Sequence, residues 1–131
     1  MANSAMPDDP RTVHVNLLIT KSVEIDEPSW CADPHQGAHY RQDVTHNGPE
    51  IAAEFDTPLG AIQYMRAWIS QAPYGELAPE PLPLIAVEVG GDAVSLDPAG
   101  LRAYIATTRA HLDALDQLAD ECDLIRSRGE A

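Results

Sequence analysis

Cys31, His35, His39 and His46 fall within sixteen residues, directly after Trp30. The chain has five histidines and two cysteines in all, so most of its soft ligand chemistry is gathered in this one stretch. Thiolate and imidazole are the side chains that hold zinc, and a tetrahedral site takes four donors. The order is Cys31-x3-His35-x3-His39-x6-His46. The x3 steps resemble the His-x3–5-His half of a zinc finger, and they would also align donors on one turn of a helix. Pro34 and Gly37 oppose a regular helix, so the expectation is a turn-rich knuckle. Cys31, His35, His39 and His46 are therefore the candidate metal ligands, with Zn2+ as the possible ion. Asp33 and Asp43 are further oxygen ligands, or partners that orient an imidazole.

Other chemistry can be written on the same residues. Cys31 beside histidines could be a nucleophile, with a histidine as base and Asp33 or Asp43 to orient it. An open three-ligand zinc carrying a water would need a base such as Glu50 or Glu54. Neither reading has a catalytic signature around the cysteine, and no catalytic residue is assigned. A metal-free loop is the plain alternative: Cys31 as a small buried hydrophobe, Trp30 as an indole anchor and His46 fixing the turn into Asn47-Gly48-Pro49. Gly90-Gly91 lacks the surrounding pattern of a phosphate-binding loop, and His14 and His111 stand alone.

The net charge is −13 and the pI is near 4.4. Such a polyanion is repelled by nucleic-acid phosphate and anionic lipid, so no direct nucleic-acid or membrane contact is expected. A DNA mimic would need the acids in one array, whereas they are spread along the chain. The N-terminus has neither a basic n-region nor an apolar core, so no signal peptide is expected. No apolar run approaches the ~18 residues of a spanning helix. Two widely spaced cysteines make no disulfide framework, and the expected compartment is a reducing cytoplasm.

The elements that must position these residues follow from periodicity. Residues 1–10 read as a disordered tail, 11–126 as a single α+β domain and 127–131 as a second tail. Val13 to Thr20 alternates and is rich in branched residues, which predicts a strand. Residues 24–47 read as one long Cys/His loop, of a length that a bound metal would pin. Glu50 to Phe55 predicts a second strand. Ala61 to Ser70 fits strand and helix periods, and its aromatic and branched content favours a strand. Leu84 to Val89 is the clearest strand, and Gly90-Gly91-Asp92 turns it back into Ala93 to Leu96. Asp97 as N-cap and Pro98 at the first helical position open a helix over 97–126. Its apolar residues recur every three or four positions. The fold class is thus α+β: a small antiparallel sheet of four to five strands and one long C-terminal helix expected to pack on it.

The Pro28-x-Trp30-Cys31-x-x-x-His35 opening and the His46-x-Gly48-Pro49 closing resemble a family of small uncharacterised actinobacterial proteins. Its members carry a P-x-W-C box, histidines, an H-x-G-P turn and a final helix entered through a Leu-Asp-Pro step, here Leu96-Asp97-Pro98. The resemblance covers about residues 12–120 and draws attention to Trp30, Cys31, His35 and His46. The family is of unknown function, so it implies no activity.

The expected function is a small acidic zinc-binding accessory or regulatory protein that works through protein–protein contacts and not through catalysis. A metal- or thiol-dependent hydrolase centred on Cys31 and an acidic DNA mimic are the alternatives. The partner surfaces are an exposed sheet edge and the distal helix, the latter also a route to a homodimer.

Overall fold

The computed structural model describes residues 10–15, 23–36, 40–75 and 79–129. The chain divides into two compact units, Met1–Asp97 with every described strand and Pro98–Ala131 with the helix. Residues 1–9 of the expected N-terminal tail, residues 16–20 of the first expected strand and His39 lie outside the described residues, and Pro10 of that tail begins the first strand.

In the first unit β1 (Pro10–Val15) pairs antiparallel with β2 (Val23–Pro28). Val13 stands opposite Ile25 and Arg11 opposite Glu27. Ile25 and Glu27 are buried, whereas Glu24 and Asp26 are exposed. This two-residue alternation is what a half-buried strand requires. It corrects the reading of 24–47 as one loop: residues 24–28 belong to a strand, with Glu24 and Asp26 on its outward face. The loop proper begins at Ser29.

The second sheet holds β3 (His46–Asn47), β4 (Ile51–Thr57), β5 (Gly60–Gln71), β6 (Leu84–Val89) and β7 (Asp92–Leu96), all antiparallel neighbours. β5 is the spine. Ser70 pairs with Asn47 on one side and Leu84 on the other, and Ala67 likewise with Ile51 and Val87. β3 and β4 therefore lie one after the other along one edge of β5, with β6 on the other edge. Gly90 and Gly91 make the β6–β7 turn at φ 60° and 95°, a left-handed backbone that a Cβ would strain.

A bulge explains why 61–70 fits two periods. Between the pairs Ile51–Ala67 and Ala53–Tyr64, β5 carries one residue more than β4. Met65 sits in that bulge at φ 56°. An extra residue reverses the alternation, so Ala67 and Ile69 continue the face of Ile62 and Tyr64, and Trp68 moves to the opposite one. Beyond the reach of β6, the β4–β5 ribbon leaves Phe55, Ile62 and Tyr64 exposed on one face.

The core is small. Val15, Ile25 and Val44 are buried together, with Val13 and Tyr74 packed against them. Val44 follows a short 3-10 turn, Arg41–Asp43, and the Arg41 guanidinium lies 4.4 Å above the Tyr74 ring. In the sheet, Ala67, Ala86 and Val87 are buried.

The second unit is α1 (Pro98–Ser127), one uninterrupted helix of 30 residues with none buried. Pro98 opens it, where a missing N–H costs nothing. Gly129, at φ 73°, gives its amide to Arg126 O at 3.1 Å in the usual left-handed exit. No helix among the described residues is long and apolar enough to cross a membrane. The α+β class read from the sequence is the observed one, with the two-stranded sheet as an addition.

Candidate metal centre

The site lies where the two sheets approach each other. Glu27 comes from the end of β2, Cys31 and His35 from the loop that follows, and His46 from the first position of β3. Each step has a local cause. Cys31 N donates to Pro28 O at 3.1 Å, a turn that folds the cysteine back over the strand end. Ala32 N donates to Asn47 O at 2.8 Å, and Gly48 N to Ile69 O at 2.8 Å, which tie the loop to β3 and β3 to β5. Asp33 Oδ1 accepts from His35 N at 2.7 Å. This bond holds His35 at φ 61°, a left-handed conformation uncommon outside glycine, which histidine, like asparagine and aspartate, adopts more readily than other residues.

All four side chains are buried, and one ligand atom from each lies within 4.8 Å of every other. His35 Nε2 is 2.5 Å from Glu27 Oε1 and 3.7 Å from Cys31 Sγ. The His35 and His46 rings meet edge to face, with centroids 5.6 Å apart, and Trp30 stands edge to face on His46 at 6.2 Å. His46 Nδ1 is buried without a hydrogen-bond partner, an expensive state for a polar atom.

Supporting groups surround the cluster. Arg11 Nε donates to Glu27 Oε2 at 3.1 Å, and Arg11 Nη2 donates to Cys31 O at 2.6 Å. Asn47 Nδ2 donates to Asp33 Oδ2 at 2.8 Å and to Thr45 Oγ1 at 3.0 Å. Trp68 Nε1 donates to Asn47 Oδ1 at 3.0 Å. A chain of hydrogen bonds thus runs from β5 through Asn47 and Asp33 to the His35 backbone.

The electrostatics favour deprotonated carboxylates and a neutral His46 imidazole. Burial pushes the Glu27 carboxyl up, but the hydrogen bonds from His35 and Cys31 and the nearby His35 and Arg11 charges outweigh it, and the carboxyl ends below its usual range. Asp33 is lowered in the same way: burial raises it, and the His35 amide and Asn47 more than reverse this. Burial and the neighbouring His35 charge push His46 down, towards neutral imidazole, against the opposing pull of Glu27 and Asp33. Burial and the Glu27 carboxylate push the Cys31 thiol up, although backbone amides partly oppose this.

The structure brings together three of the four residues singled out in the sequence: Cys31, His35 and His46. His39 lies outside the described residues. Asp33 serves as a hydrogen-bond partner of the site, while Asp43 is exposed on the 3-10 turn. Glu50 and Glu54 are exposed on or beside β4, and Glu50 faces Arg66 at 4.0 Å. His14 pairs with Glu24 at 3.6 Å on the surface, and His111 is exposed on α1. Both cysteines are free thiols. Glu27 stands among acids; its signal is phase, because it lies two residues beyond the buried Ile25 on the same strand.

A family model described as "Domain of unknown function (DUF6907)" matches residues 9–123, and the chain belongs to that family. No curated protein and no solved structure is similar to the chain at a significant level.

Proposed function

We propose that this family member holds one zinc ion through Glu27, Cys31, His35 and His46, in a closed site that shapes the protein and does not catalyse. It then serves as an accessory or regulatory protein that works by binding other proteins. The observation that carries this reading is the convergence of four buried donors within 4.8 Å around a histidine whose Nδ1 is without a partner. One sulfur, two imidazoles and one carboxylate are a zinc donor set. Zinc bonds of about 2.0–2.3 Å place tetrahedral donors roughly 3.2–3.8 Å apart, close to the observed 3.7 Å between Cys31 Sγ and His35 Nε2.

Burial argues for structure over turnover. A catalytic zinc keeps an open position for water or substrate, whereas here every donor is shut off from solvent. A thiol nucleophile is disfavoured as well. Cys31 is 4% exposed and its thiol is pushed up, the reverse of the exposed, low-pKa environment that activates cysteine.

The ion would join β2, the loop and β3, so that the two sheets share one rigid junction. The test is the metal content of untagged protein purified without chelator, by inductively coupled plasma mass spectrometry. One zinc per chain is the expected result. A folded chain that neither retains nor takes up zinc overturns the proposal.

A further inference from the structure

The geometry points to α1 as a self-association helix that pairs antiparallel with α1 of a second copy. It is unbroken from Pro98 to Ser127, and Leu112, Leu115 and Leu118 are exposed on it by 54%, 45% and 60%. Leu101, Tyr104, Ile105, Thr108, Leu112, Leu115, Leu118, Ala119, Cys122 and Ile125 recur at three- and four-residue steps, as one stripe.

The occupant is identified by the charges beside that stripe. On the flank next to Ile105, Leu112 and Ala119 come Arg102, Arg109, Asp116 and Asp123. They are spaced by seven, so they form one row along the helix. The row reads plus, plus, minus, minus. Laid antiparallel on a second copy about its own midpoint, it sets Arg102 beside Asp123 of the partner subunit and Arg109 beside Asp116 of the partner subunit. Within one residue of that register, about 1.5 Å along the axis, Leu101 lies against Ile125 of the partner subunit and Thr108 against Leu118 of the partner subunit, so the apolar and charged patterns agree on one alignment. On the other flank Thr107, Ala114 and Glu121 bring no opposing like charges into that register. A parallel pair would set each arginine beside uncharged Thr107 or Ala114 of the partner subunit and lose the complementarity. Opposite charges beside an apolar seam specify orientation and partner.

The experiment is sedimentation equilibrium of the full chain over a concentration series. The expected mass is twice 14.2 kDa. Arg109→Asp and Asp116→Arg each turn two attractive cross-pairs into repulsive ones, so each should weaken the dimer about tenfold. The double variant exchanges the charges across the two-fold axis and should restore it. Both positions are exposed, and circular dichroism checks that the helix persists. A monomer throughout, or a dimer indifferent to the single reversals, overturns the inference. So does a double variant as weak as the singles.

Discussion

Glu27 Oε1 lies 2.5 Å from His35 Nε2, with side-chain exposures of 8% and 1%. The contact is a charge-assisted hydrogen bond, and a zinc ion bound by both atoms would open it by about 0.7 Å, towards a tetrahedral edge. On the proposed reading Glu27 is the fourth donor, and His39 should be dispensable. Glu27→Gln keeps the shape of the side chain and loses its charge. Zinc affinity should fall by at least about 10–100-fold, while His39→Ala keeps one zinc per chain. Competition titration against a chromophoric chelator reads both. The opposite pattern would assign the fourth ligand to His39.

Cys31→Ser removes the only sulfur of the cluster. Zinc at a hundredfold above its dissociation constant stabilises a folded protein by about 2.7 kcal/mol, or roughly 10 °C in melting temperature for a chain of this size. The native chain should show that difference between zinc and chelator in differential scanning calorimetry. The variant should melt at the same temperature in both. An undiminished zinc shift in the variant would remove Cys31 from the ligand set.

Much of this fold is readable because period and punctuation agree. Leu84 to Val89 is branched, apolar and closed by two glycines, and Leu96-Asp97-Pro98 opens a helix by chain geometry alone. What hides does so for physical reasons. β2 carries acids at Glu24, Asp26 and Glu27, and composition weighs them as solvated, although one of the three points inward to meet Arg11 and His35. The bulge at Met65 breaks the period of β5, so neither strand template fits throughout. The cluster shows the same divide. Soft donors advertise themselves by rarity, which singles out Cys31, His35 and His46. A carboxylate in an acidic chain has no such contrast, and only the strand register reveals it.

The pH dependence of the chelator-treated chain follows from the direction of each shift. His46 is held below its ordinary 6.5, so the folded state binds fewer protons there than the unfolded one. That contribution is full above pH 6.5 and is lost as pH falls through the folded value. Glu27 and Asp33, lowered from 4.5 and 3.8, add losses at more acid pH. Cys31 is raised above 9.0, so its contribution is present below pH 9 and is lost as pH rises through the folded value. Urea denaturation from pH 4 to 10 should give greatest stability between about pH 7 and 9, with loss on both sides. Cys31→Ser should flatten the alkaline loss alone. An acid limb that begins only below pH 5 would deny His46 its part.

Asn47 is the link whose removal should damage the site without touching a donor. Its side chain accepts from Trp68 on β5 and donates to Asp33, and Asp33 in turn holds the His35 amide in its left-handed turn. Asn47→Leu fills a similar volume and makes none of these bonds. Trp68 Nε1 loses its acceptor and Asp33 Oδ2 its donor, at about 1–3 kcal/mol for each group left unsatisfied in a half-buried setting. His35 then has less to fix its backbone, so zinc affinity should drop about tenfold or more although all four donors remain. The two effects are separable. Urea unfolding of the zinc-free variant gives the hydrogen-bond loss, chelator competition gives the affinity loss, and the joint fluorescence of Trp30 and Trp68 reports the change around the site. If Asn47→Leu lowers stability and leaves zinc affinity unchanged, the Trp68–Asn47–Asp33 chain only braces β3 against β5 and does not position His35.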